Sequence, residues 1–299
     1  MKIGIALGGG GAKGIAHIGV LRVLESAQIQ IDLIAGTSAG ATVGALYAAG
    51  KSADEIERVI RHLSLQQLLT RDRMGMGLFS TAGIRRVIEV EIGKATRIED
   101  LPRAFAAVAV EMDTGEEVVF DRGSVADAVS ASAAFPGLFA PASIGGRLYL
   151  DGGVLNPVPF DVARRRGADR VLAVDLGADE PVFTVALAHR RGGALFYRLV
   201  CAAENQKVMR VASRAIGIMT KQMRQQKMQQ SPPDFILYPN VQGIGLMDFD
   251  LVDECLAAGE QAARAALPQI GQVIRAPRWR YQSQKLIERI RSQFAARSA

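Results

Sequence analysis

A short apolar run from Lys2 to Leu7 is cut off by four glycines, Gly8 to Gly11, and apolar residues return at helical spacing from Ile15 to Leu24. Strand, tight loop and helix in that order constrain the chain to an α/β fold. A fully apolar strand must be buried on both faces, and the helix that follows supplies one of the covers. The unit repeats at once: Ile31 to Ala35 reads as a second buried strand stopped by Gly36, and Ala39 to Ala49 as a helix of small residues ending at Gly50.

Residues 52 to 95 read as helical in pieces. They are interrupted by the apolar but glycine-loosened stretch Met74 to Phe79, which has the make-up of an ordinary loop or of a lid within 66–80. Phe105 to Met112 and Glu117 to Phe120 flank Asp113-Thr114-Gly115-Glu116 and predict a hairpin, followed by a small-residue helix from Ser124 to Ala134. Leu148 to Leu150 is a brief strand running straight into Asp151-Gly152-Gly153. Val171 to Leu176 predicts a buried strand, 193–229 a long helix, Phe235 to Tyr238 a late strand and 248–266 an amphipathic helix. Tyr281 to Ala296 sets Leu286, Ile287, Ile290 and Phe294 on one face against Arg and Lys on the other. The expected division is one domain over 1–270, with its motifs within 1–165, and a basic amphipathic helix over 271–299.

With 299 residues, 49% of them hydrophobic and 22% charged, the chain has enough apolar mass for one large shared core. The opening apolar run is too short for a secretory signal, and no charge-free apolar stretch has the length of a membrane span. Cys201 and Cys255 both fall in segments of helical spacing, where a small buried thiol is the ordinary role. A cytoplasmic setting is expected. The net charge of +6 conceals two basic segments. Residues 189–230 carry nine Lys/Arg against Glu204 alone, and 270–299 carry seven against Glu288. Such runs read either as solvated helix faces or as peripheral contacts for an anionic membrane; no nucleic acid is expected as a partner.

Gly36-Thr37-Ser38-Ala39-Gly40 fits G-x-S-x-G, which holds a serine on a sharp strand-to-helix turn. In a chain with 31 glycines the pattern alone is weak. Its setting is stronger: a strand before Ser38 and a helix after it would expose the hydroxyl at a helix N-terminus. Gly8-Gly9-Gly10-Gly11-Ala12-Lys13-Gly14 offers consecutive unhindered N–H groups at a helix start. These will hold developing negative charge, whether a phosphate or a tetrahedral oxyanion. A nucleophilic serine needs a base, yet none of His17, His62 and His189 has the strand-end or loop setting of a triad histidine. Asp151 does end a strand, and the two following glycines free it to approach another loop.

GGGGAKG, then GTSAG, then DGG, in this order, resemble the patatin-like phospholipase family over roughly residues 1 to 165. Ala16-His17-Ile18-Gly19-Val20-Leu21 and Ser132-Ala133-Ala134-Phe135-Pro136 add to the likeness. The resemblance implies a three-layer α/β/α domain with a mainly parallel central sheet, and a serine lipid acyl hydrolase working through an acyl-enzyme. Ser38 would be the nucleophile, Asp151 the general base, and Gly9, Gly10 and Gly11 the oxyanion-hole donors. Lys13, Gly14, Gly36, Gly40, Gly152 and Gly153 would support the motifs. The expected substrate is a phospholipid or other fatty-acyl ester, and no metal or cofactor is called for.

Two other readings stay open at this point. A dinucleotide site on Gly9-x-Gly11-x-x-Gly14 would use Asp32 for a ribose, although this leaves GTSAG and DGG without a purpose. A non-catalytic lipid-binding or regulatory protein on the same fold would make use of the basic segments.

Overall fold

The computed structural model describes residues 1–63, 65–68, 70–72, 75–177 and 203–276. The sheet is built on β1 (Ile3–Leu7), β2 (Leu33–Thr37), β5 (Ala104–Glu111), β9 (Arg170–Val174) and β10 (Phe235–Leu237), all parallel, in the spatial order β10-β9-β1-β2-β5. Three antiparallel strands extend it. β6 (Glu117–Phe120) pairs with β5 as the expected hairpin, β8 (Arg147–Asp151) pairs with β5, and β7 (Ala142–Ile144) pairs with β8. A two-stranded ribbon, β3 (Thr70–Arg71) and β4 (Phe79–Ser80), lies apart from the sheet.

Alternation along these strands divides the core into two apolar layers. Ile5, Leu7, Ile34, Phe105, Ala107, Leu172 and Val174 point to one face. There they meet α1 (Ala16–Ser26), α2 (Ala39–Ala48), α3 (Ala53–His62), α5 (Ala82–Ile92), α6 (Val125–Ser132) and α9 (Val252–Arg275). Their neighbours Ala6, Leu33, Ala35, Ala106, Val108, Val171 and Ala173 point the other way, onto α7 (Phe160–Arg165) and onto Met228 of α8 (Ala203–Gln230). Period-two alternation with both sides apolar is what a sheet buried between helices demands. The remaining helix, α4 (Leu65–Leu68), is a single turn.

The fold is the mainly parallel, three-layer arrangement anticipated, with three local differences. The second strand is not stopped by Gly36 but passes through it to Thr37, because Gly36 and Thr37 still pair with Ala107 and Val108 of β5. The hairpin partner β7 had no alternation strong enough to announce it. The helix expected over 248–266 runs to Arg275 through Pro268, so a domain boundary at 270 would fall inside α9. Cys201, His189, the first part, 193–202, of the expected long helix and the expected terminal helix over Tyr281 to Ala296 lie outside the described residues.

Candidate active site

Ser38 sits between β2 and α2 with φ 54 and ψ −120, a conformation that costs a non-glycine residue roughly 1–3 kcal/mol. The turn is this sharp because α2 must start directly behind the end of β1. A Cβ on Gly40 would stand 2.1 Å from the Leu7 carbonyl oxygen. Gly36, on the other side of the serine, is the next-to-last residue of β2. The elbow therefore presents Ser38 above the carboxyl ends of the parallel strands, where open α/β sheets leave a crevice.

Asp151 reaches the same place by sheet register. β2 occupies one edge of β5 as far as Thr37 opposite Val108. β6 covers Ala107 to Val110 on the other edge. β8, whose Asp151 pairs with Ala109, must then share the edge held by β2 and meet it end to end. Two strands running in opposite directions thus finish on adjacent rungs, with Ser38 following one end and Asp151 at the other. Gly152 and Gly153 form the short 3-10 turn after Asp151, and Gly153 N–H donates to Asp151 Oδ1 at 2.7 Å. Oδ2 is buried and completes no hydrogen bond within bonding geometry among the described residues. Burial pushes the Asp151 carboxyl up to about 6, with interactions from the Ser38 hydroxyl and the Gly153 N–H acting in the opposite sense. A carboxylate of that basicity is suited to take a proton near neutral pH.

The glycine loop lies against the serine: a Cβ on Gly9 would be 3.3 Å from Ser38 Cβ. Its donors are not equivalent. Gly8 N–H donates to Val174 O at 3.1 Å and Gly9 N–H to Pro157 O at 2.9 Å. Gly9, expected as an oxyanion donor, is therefore already engaged, and its contribution is to let the loop approach Ser38. Gly10 and Gly11 make no backbone hydrogen bond through their N–H groups among the described residues, and both line the cavity above Ser38. Gly11 has φ +56 and lies so close to Leu246 O that a Cβ would stand 2.5 Å from it. Lys13 and Gly14 continue in the 3-10 turn Gly11–Ile15, which leads into α1; Lys13 is buried and also lines the cavity.

His17 supports this loop rather than the serine. Buried in α1, its Nε2–H donates to the Gly8 carbonyl at 2.7 Å, and burial pushes the ring down to about 4, so it stays neutral. His62 is exposed and bonds the Arg58 carbonyl. The dinucleotide reading fails on geometry. Asp32 Oδ2 accepts the Ile3 N–H at 2.7 Å, at the amino end of β1 and β2, whereas the glycine loop lies at their carboxyl end.

A cavity of about 670 Å³ opens over these groups, within the size range of ligand sites. Ser38, Asp151, Gly10 and Gly11 stand among mostly apolar walls. Ile84 and Phe139 lie on one side, and Ile216, Leu246 and Phe249 come from the carboxy-terminal third. Among the described residues no group of His, Cys, Asp and Glu could hold a metal ion. The patatin-like phospholipase family matches residues 5–164, more than half of the chain.

The chain belongs to the patatin-like phospholipase family. An uncharacterized NTE family protein of Mycobacterium tuberculosis is 32% identical over 280 residues, covering 89% of this chain and 46% of that protein. Patatin-like phospholipase domain-containing protein 6 of Mus musculus is 30% identical over 276 residues, covering 88% of this chain and 20% of that protein. The chain thus spans less than half the length of these two curated relatives. Among solved structures, VipD from Legionella pneumophila aligns at a TM-score of 0.53 and 14% identity, over 90% of this chain and 66% of that one, a likeness of fold.

The hydrogen bonds that shape this patatin-like site carried no signal of their own in the sequence. Ser132 and Ala134 bond the backbones of Ser38 and Asp151. Asn156, fully buried, accepts the Thr37 hydroxyl on its carbonyl at 2.8 Å and donates its N–H to Gly152 O at 2.7 Å, tying the elbow to the DGG turn. Leu246 O takes the Ala12 N–H at 2.8 Å and steadies the glycine loop. Partners like these are chosen by tertiary proximity, and each is an unremarkable residue type in its own segment.

Proposed function

We propose that this protein is a lipid acyl hydrolase that cleaves fatty-acyl esters through a Ser38–Asp151 dyad. The observation that carries this reading is the meeting of a strained serine and a buried carboxylate with an unbonded oxygen in one apolar, acyl-sized cavity. Ser38 Oγ attacks the ester carbonyl carbon while its proton passes to Asp151 Oδ2. The tetrahedral oxyanion is held by the Gly10 and Gly11 N–H groups, donors each worth roughly 3 kcal/mol in sites of this type. Collapse breaks the ester C–O bond, and the leaving alkoxide takes the proton back from Asp151, leaving acyl-Ser38. Water then gives a proton to Asp151 and adds to the acyl carbon, and collapse breaks the acyl C–Oγ bond, Ser38 Oγ taking the proton back from Asp151 as the fatty acid leaves.

A fluorophosphonate probe should label Ser38, and Ser38→Ala should reduce hydrolysis of a short nitrophenyl ester to background while the circular dichroism spectrum is retained. Absence of labelling in the folded protein would leave a lipid-binding domain without catalysis.

The substrate is expected at a membrane surface. On α8, Gly217 and Thr220 line the cavity while Val211, Ile218 and Met219 are half or more exposed beside Arg214 and Lys221. An apolar and basic face of this kind suits peripheral contact with anionic lipid, at about 1 kcal/mol per basic residue near the surface. No helix among the described residues is long and apolar enough to cross a membrane. Flotation with vesicles should rise with the anionic lipid fraction and fall with salt; flotation indifferent to both would refute the contact.

A further inference from the structure

The Ser38 backbone must be held in its strained conformation by its surroundings, because a residue at φ 54 and ψ −120 relaxes when nothing over-determines it. Its N–H donates to Ser132 Oγ at 2.9 Å, and Ser132 is fully buried at the end of α6. Two residues on, the Ala134 carbonyl accepts the Asp151 N–H at 2.9 Å. One three-residue segment therefore grips the main chain on both sides of the catalytic pair. The packing of α6 keeps it rigid: Val125, Ala128 and Val129 are each 1% exposed or less.

We propose that Ser132 is a positioning residue for the Ser38–Asp151 pair, its hydroxyl locking the elbow while the adjoining Ala134 carbonyl locks the base. The proposal rests on the dyad reading given above. Ser132 touches no substrate in this scheme and is absent from the cavity wall. Removing its hydroxyl leaves the Ser38 N–H without its partner in a half-buried turn, which a rotation of the elbow would relieve. That rotation swings Ser38 Oγ off its line to Asp151 and the ester carbon. Misplacement on the scale of an ångström costs on the order of a hundredfold in rate.

The test compares Ser132→Ala, Ser132→Thr and Val129→Ala with the parent protein on a short nitrophenyl ester, with urea unfolding measured on each. Val129→Ala removes buried methyls from the same helix and disturbs neither hydrogen bond, so it reports a purely structural loss. Ser132→Ala should lower kcat by roughly tenfold to a hundredfold, leave KM within about twofold, and slow fluorophosphonate labelling in proportion. Ser132→Thr, which restores a hydroxyl, should recover much of kcat. Val129→Ala should lose stability and keep kcat. A Ser132→Ala protein with the parent kcat, or a Val129→Ala protein losing as much kcat as Ser132→Ala, overturns the proposal. Turnover surviving in Ser38→Ala overturns the dyad and this proposal together. A dead Ser38→Ala beside an unimpaired Ser132→Ala removes the positioning role alone.

Discussion

Replacing Asp151 by Asn is expected to lower kcat by roughly a thousandfold to ten-thousandfold and, at pH 8, to make the protein more stable than its parent. On the dyad reading, the first effect follows from removing the group proposed to take the Ser38 proton, in line with the size of general-base contributions. The second follows from the buried position of the carboxyl. Asp151 titrates at 3.8 when unperturbed and at about 6 in the folded protein, so between those values the native state holds a proton that the unfolded chain has released. The stability tied to that proton is fully present below pH 3.8 and is lost as the pH rises through about 6. The loss amounts to about 3 kcal/mol. Asparagine keeps the acceptor for Gly153 N–H and never ionises, so it escapes this loss. The two proteins should unfold at similar urea concentrations near pH 4 and diverge by about 3 kcal/mol by pH 8. Equal midpoints at pH 8 would show that Asp151 is not destabilised by burial. For the parent, kcat/KM should rise with pH through about 6 and then level off, as the base form of Asp151 appears.

Gly40→Ala should cost about 4 kcal/mol or more. The new Cβ would stand 2.1 Å from Leu7 O, 2.5 Å from Leu7 C and 2.7 Å from Gly8 O, all of them backbone atoms. Leu7 is paired on one side with Gly36 and on the other with Val174, so it cannot retreat without opening the centre of the sheet. The remaining escape is for α2 to lift away, carrying Ser38 from the glycine loop. Urea denaturation reads the first consequence, and slowed fluorophosphonate labelling of the fraction still folded reads the second. A Gly40→Ala protein of parental stability and labelling rate would mean that the elbow does not pack on β1 as described.

The parts of this site legible in the sequence are those whose physical cause is local. Apolar strand, glycine run and helical spacing announce the loop before α1, and G-x-S-x-G between a strand and a helix announces the elbow. Asp151 could be singled out because it ends a strand and precedes two glycines. Which N–H groups of the glycine loop stay free was only partly legible. A run of four glycines looks uniform in sequence, yet Pro157 and Val174 take two of its N–H groups and leave Gly10 and Gly11. Strand limits were blurred for a similar reason: Gly36 looks like a stop, but ladder partners on β5 carry β2 past it.

The residues by themselves determined that the chain would layer helices on a buried parallel sheet and would carry a serine, a carboxylate and a glycine loop at strand ends. These follow from periodicity and from the conformational freedom of glycine, which act over a few residues. Only the tertiary structure decided that the three groups meet. Ser38 and Asp151 lie far apart in the chain, and their approach depends on β8 turning back along the edge of β5 that β2 leaves vacant beyond Thr37. It depends equally on Ser132, Ala134 and Asn156 bonding across that junction. Sheet register and buried hydrogen-bond partners are settled when segments distant in sequence compete for the same backbone groups, and no local pattern records the outcome.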